Sequence, residues 1–340
     1  MDGEEPYLSG RSVAGRSIDC AERRKSMRMR KVFGCTRRTA VTVLALAGLV
    51  ALVVACAPQA VEPEEGTMSV SVSVLPQRTF VERVGGERVS VSVMVEPGSS
   101  PATYEPKPEQ LRALSDAVAY FSIGVPFEDA WLERIAAANR DMVMVDTAEG
   151  IERLPMRTHH HHDDDGDEHG DEDHGHGTGA PDPHIWLSPR LVKVQAQNIY
   201  AALAELDPDH EAEFRANLDT FVADIDALEA EIRETLRGVE SDKFMVFHPA
   251  WGYFAADFGL EQIPIEVGGQ EPSARELAAL IERAREENIQ VIFAQPEFRT
   301  SDAETIAEEI GGEVLLISPL APDWLDNMRR VAETFAQVLD

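Results

Sequence analysis

Short runs of β-branched residues recur along this chain with helical stretches between them, and that alternation most narrows the folds open to it. Ser69-Val-Ser-Val-Ser-Val74 and Val89-Ser-Val-Ser-Val-Met-Val95 have strand composition, with a helical stretch at about 77–85 between them. Strand, helix, strand in that order predicts a parallel sheet, because parallel neighbours need a long crossover. The pattern continues with a helix near 108–115, a strand at 117–121, a helix at 127–138 and a strand at 142–145, which accounts for one α/β lobe.

A second series follows, with apolar strands at 244–247, 291–294 and 314–317, helices at 274–287 and 302–310, and a last helix from about Asp323. Between the two series, Phe214, Leu218, Phe221, Ile225, Leu228, Ile232 and Leu236 fall at spacings of three and four. That spacing marks one long amphipathic helix, of a length suited to a spine between lobes. The predicted organisation is an N-terminal lobe over 68–206, a linking helix over 207–239 and a C-terminal lobe over 240–340. No internal sequence repeat is visible.

Upstream, a strongly basic stretch at 23–38 runs into an apolar run at 41–55, too short to span a membrane comfortably, that ends at Cys56. This order is that of a secretory signal, and Val53-Val-Ala-Cys56 resembles the lipobox in which the cysteine receives lipid and becomes the mature N-terminus. Residues 1–26 are polar and mixed in charge, so translation from Met27 or Met29 would leave 27–55 as the lipoprotein signal. Residues 56–67, rich in Pro and Glu, read as a tether. Cleavage before Cys56 would remove Cys20 and Cys35, leaving an acylated cysteine and no disulfide.

Length permits two modest domains. A composition of 44% apolar and 27% charged residues is that of a soluble globular protein, and a mean hydropathy of -0.22 excludes a polytopic membrane protein. The formal charge of -30 argues against nucleic acid as a partner and makes cations the natural ones.

Seven of the ten histidines lie in one acidic stretch: His159, His160, His161, His162, His169, His174 and His176. The stretch, bounded at 158–179, is nearly devoid of apolar residues, and its imidazoles beside carboxylates form transient sites for borderline divalent metals. Directly after it comes Asp182-Pro-His184-Ile-Trp-Leu-Ser-Pro189, and later Phe247-His248-Pro-Ala-Trp-Gly-Tyr-Phe254. Both His184 and His248 precede helices at ends where an α/β lobe presents residues, so the two could converge across a cleft. Trp186, Trp251 and Trp324 read as packing residues. No Gly-x-Ser-x-Gly, His-Glu-x-x-His or phosphate loop is present, so no enzyme is predicted.

With Ser100-Pro-Ala-Thr-Tyr-Glu-Pro106, the histidine loop, both histidine motifs and Ile317-Ser-Pro-Leu320, the chain from about Met68 onward resembles the zinc/manganese-type solute-binding proteins of ABC transporters. The resemblance implies two α/β lobes with mainly parallel sheets, joined by a rigid spine helix, holding one metal in the cleft between them. It makes His184 a ligand from the N-terminal lobe and His248 one from the C-terminal side.

Two positions depart from that pattern: Ala102 stands where the family usually has histidine, and Ser318 where it often has aspartate. Glu105, Tyr104 and Glu297 are the candidates to complete the site, with loop histidines or water as alternatives.

The function so implied is an extracytoplasmic, lipid-anchored monomeric receptor that delivers Zn2+ to an ABC permease. Imidazole ligands favour zinc over manganese. A manganese-selective receptor, a metal-scavenging adhesin lipoprotein and, more remotely, a secreted metallohydrolase are the alternatives.

Overall fold

The computed structural model describes residues 67–156, 180–266, 270–298 and 301–340. The N-terminal segments with Cys56, and the histidine-rich loop, lie outside the described residues. All the described residues belong to one compact unit, Pro63–Asp340.

The first series of elements is β1 (Met68–Val72), α1 (Leu75–Gly85), β2 (Val89–Val93), α2 (Pro108–Ala113), β3 (Ala119–Ser122), α3 (Pro126–Ala138) and β4 (Val143–Asp146). The strands form a parallel sheet in the order β2-β1-β3-β4. Next come α4 (Pro189–Leu206) and the 25-residue α5 (Glu211–Thr235). The second series is β5 (Lys243–Val246), α6 (Gly252–Phe258), β6 (Glu261–Pro264), α7 (Ala274–Glu286), β7 (Val291–Ala294), α8 (Ser301–Ile310) and β8 (Glu313–Leu316), closed by α9 (Trp324–Leu339). Its sheet is also parallel and repeats the connectivity, β6-β5-β7-β8.

Local chemistry sets the helix starts. Proline stands in the first turn of α1, α2, α3 and α4, where its fixed φ fits the helix and its missing N–H would have had no partner. The Ser188 hydroxyl accepts from the Leu191 amide at the start of α4. Ser273 and Glu276 cap α7 reciprocally.

The six apolar positions from Phe214 to Ile232 in the predicted spine are all buried on one face of α5, which packs against α1, α4 and α9. Helix α9 joins the lobes. Its Trp324 ring meets Phe80 of α1 edge-on at 5.3 Å, while Phe335 packs on Phe244 and Phe293 of the second sheet at 4.6 and 4.7 Å. One core therefore runs through both lobes. A second lies between the β5–β8 sheet and α7 and α8, around Met245, Ile263, Leu280, Ile292 and Ile306.

The helices expected after His184 and His248 are α4 and α6, and the structure adds β6 to the predicted elements. β6 is only four residues long and ends in Pro264, which an edge strand tolerates because it donates to one neighbour only.

In each sheet the strand order reverses between the first and third strands, leaving a crevice beyond their carboxyl ends, the usual place for a ligand in such sheets. The β3 exit at Ser122–Pro126 and the β5 and β7 exits face one cavity. At the β3 exit Gly124 has φ +78°, and the Arg153 guanidinium donates to the Ile123 and Gly124 carbonyls. A Cβ at Gly124 would lie 2.2 Å from that guanidinium. Gly124→Ala is therefore expected to cost about 1–3 kcal/mol, read as a lower denaturant midpoint with unchanged m-value.

Candidate metal centre

His184 and His248 meet at the crevice with their Nε2 atoms 3.3 Å apart and their ring centroids 5.2 Å apart. Both are buried, 7% and 8% exposed. His184 is set by an Asx turn in Asp-Pro-His: Asp182 Oδ1 accepts from the His184 amide at 2.9 Å and from its Nδ1 at 2.7 Å. His248 follows β5, and its Nδ1 donates to Glu266 Oε2 at 2.9 Å, just beyond β6.

A carboxylate only accepts, so each Nδ1 carries a ring proton, and the neutral, ligating form of each ring presents a bare lone pair at Nε2. Two lone pairs aimed at each other repel unless a cation lies between them. Burial lowers the pKa of His248, favouring its neutral, ligating form; Glu266 pulls the other way and the second imidazole adds to the lowering.

The rings are held from behind. Phe298 stacks on His248 at 4.5 Å, and Trp186 meets His184 edge-on at 5.2 Å. The Trp186 indole N–H donates to the Pro319 carbonyl at 2.7 Å, and Trp324 donates to the Trp186 carbonyl at 2.7 Å, tying the His184 segment to the C-terminal loops. The Tyr253 hydroxyl donates to the Asp182 carbonyl at 2.9 Å and accepts from the Leu154 amide at 3.0 Å. Asp182 and Glu266 were absent from the sequence-derived candidates. The Asp-Pro-His spacing carried a signal for the first, whereas the second depends on the unanticipated β6.

The cavity at the two imidazoles, about 50 Å³, is lined mainly by apolar groups. Ala102 lines it, as does Glu297. Ser318 Oγ donates to Glu297 Oε1 at 3.2 Å. Tyr104 and Glu105 are not brought there: the Tyr104 hydroxyl donates to Gln110 at 2.8 Å and its ring packs on Phe127, while Glu105 is exposed. Their segment turns its apolar side inward, so its polar ends face elsewhere. Among the described residues, no three His, Cys, Asp or Glu side chains already converge on one point.

A family model described as the periplasmic zinc-uptake complex component A, ZnuA, matches residues 70–338. The chain belongs to the ZnuA family. It is 28% identical over 267 residues to the high-affinity zinc uptake system protein ZnuA of Bacillus subtilis (strain 168), covering 74% of this chain and 78% of that protein. It is also 28% identical over 281 residues to the zinc-binding lipoprotein AdcA of Streptococcus pneumoniae serotype 4, covering 82% of this chain but 54% of that longer protein. A crystal structure of ZnuA superimposes with a TM-score of 0.74 at 47% identity, covering 81% of this chain and all of that one. The two-lobed parallel architecture is thus the family's fold.

Proposed function

We propose that this chain is the extracytoplasmic receptor of a metal-uptake ABC transporter, that zinc is its cargo, and that His184 and His248 are ligands. One observation carries the reading. Two nitrogens each about 2.0–2.1 Å from a tetrahedral zinc ion stand roughly 3.3–3.4 Å apart, and the two Nε2 atoms are 3.3 Å apart with both Nδ1 protons already committed to carboxylates.

Capture and release require no chemical step, so the chain is read as a receptor and not an enzyme. It acts as a monomer, delivers the ion to a permease, and is held at the membrane by lipid on Cys56, in keeping with the AdcA relative named a lipoprotein. The histidines of 159–176 serve as auxiliary sites of lower affinity, because ordering a polar loop offsets part of each binding free energy.

Zinc titration with elemental analysis tests this. One site tighter than the rest is expected, preferring zinc to manganese because its fixed ligands are imidazoles. A set of equal weak sites would defeat the proposal. Cys56→Ala should release the chain from the membrane fraction or block its processing, and an unchanged membrane association would remove the lipid anchor.

A further inference from the structure

The two imidazoles leave a zinc ion short of ligands, and the loop after β7 holds a group that fits the vacancy. The Gln295 side chain accepts from the His248 amide at 3.2 Å and donates to the His248 carbonyl at 2.7 Å. Three residues on, Phe298 stacks on the His248 ring. Between these anchors Glu297 lines the same cavity as both imidazoles.

Its two oxygens differ. Oε1 accepts from Ser318, whereas Oε2 is shut off from solvent and has no hydrogen-bond partner among the described residues. A buried carboxylate oxygen is costly when nothing answers it. Among the described residues the lining supplies no Lys or Arg to do so; Ala102, Val125, Met156 and Leu320 are typical of it. The group best suited to satisfy Oε2 is a cation entering the cavity.

We infer that Glu297 is the third protein ligand of the ion held by His184 and His248, swung from Ser318 onto the metal as it binds. The inference rests on the function proposed above. The centre then has two imidazoles and one carboxylate, with the fourth position left to water on the side of Ala102, where a methyl group offers no donor. Ser318 is a resting partner for the carboxylate and not a ligand. Swinging Glu297 costs one hydrogen bond from the Ser318 hydroxyl and places an anion against a dication in a water-poor cavity, where the attraction is weakly screened.

The test is a competition titration of the full chain with zinc against a chromophoric chelator, following the tightest site, with thermal unfolding of each apo protein alongside. Glu297→Gln should weaken that site at least tenfold while leaving apo stability unchanged or raised, since it removes an unanswered buried oxygen. Ser318→Ala should bind zinc as tightly as the parent or more so.

If Glu297→Gln keeps the parental affinity while His184→Ala loses it, Glu297 is excluded and the two-histidine centre stands. If both keep it, the functional reading fails as well. A Ser318→Ala variant as weak as Glu297→Gln would place the serine among the ligands and overturn its resting role. Lowered apo stability in Glu297→Gln with parental zinc affinity would make the residue purely structural.

Discussion

His248→Ala should weaken the tightest zinc site by at least a hundredfold, or about 2.8 kcal/mol, while leaving the apo fold intact. His184→Ala should do the same. Each removes one of two nitrogens already at zinc-ligand separation, so nothing else needs to move for the loss to register. Glu266→Gln should cost about 10-fold, since it disturbs the partner that orients the ring without removing the ligand. Histidines in the 159–176 loop would mask these losses if occupancy were read at excess metal, so the measurement is made by competition below one equivalent.

Acid affects the same histidine. Burial first, and the neighbouring imidazole after it, lower the pKa of His248, with Glu266 and Asp182 opposing. As pH falls below about 6.5, the unfolded imidazole takes a proton before the folded one does. The unfolded state then binds more protons, and apo stability declines through that window towards the lowered folded pKa. His248→Gln should flatten this part of the stability profile between pH 7 and 5.5. A parental profile in the variant would mean that this imidazole does not carry the slope.

The long elements were legible because each obeys a single period. The α5 face repeats at three and four, and Val70, Val72 and Val74 alternate in β1 and its exit, all buried. The short strand β6 was not: Glu261-Gln-Ile-Pro264 is half polar and ends in proline, whereas the equally short β7, Val291-Ile-Phe-Ala294, is wholly apolar and was expected. His184 and His248 stood out because each sits in a distinctive local sequence. Their facing geometry did not, since it depends on Glu266, eighteen residues from its partner and reached only through the β5–β6 pairing. Tyr104 and Glu105 illustrate the converse. Both sit two or three residues from Ala102, which lines the cavity, yet the intervening turn sends one to Gln110 and the other to solvent.

Trp186→Ala is expected to cost the apo protein about 3–5 kcal/mol, in the range for emptying a large buried aromatic site. Trp186 is 1% exposed, packs edge-on against His184, donates to the Pro319 carbonyl and offers its own carbonyl to Trp324. Trp186→Phe separates packing from hydrogen bonding. It keeps most of the apolar bulk but leaves the Pro319 carbonyl without that donor, at about 1–3 kcal/mol. Because the same ring backs a proposed ligand, the variant should also lose zinc affinity, through a less restrained His184 and not through a missing donor. Zinc protects the folded state by an amount set by its concentration relative to its Kd, about 4 kcal/mol at a thousandfold excess. The parent should therefore gain more from a fixed zinc concentration than Trp186→Phe does, measured by denaturant unfolding with and without metal. Equal zinc-dependent gains in the two proteins would confine Trp186 to the core and leave the orientation of His184 to Asp182 alone.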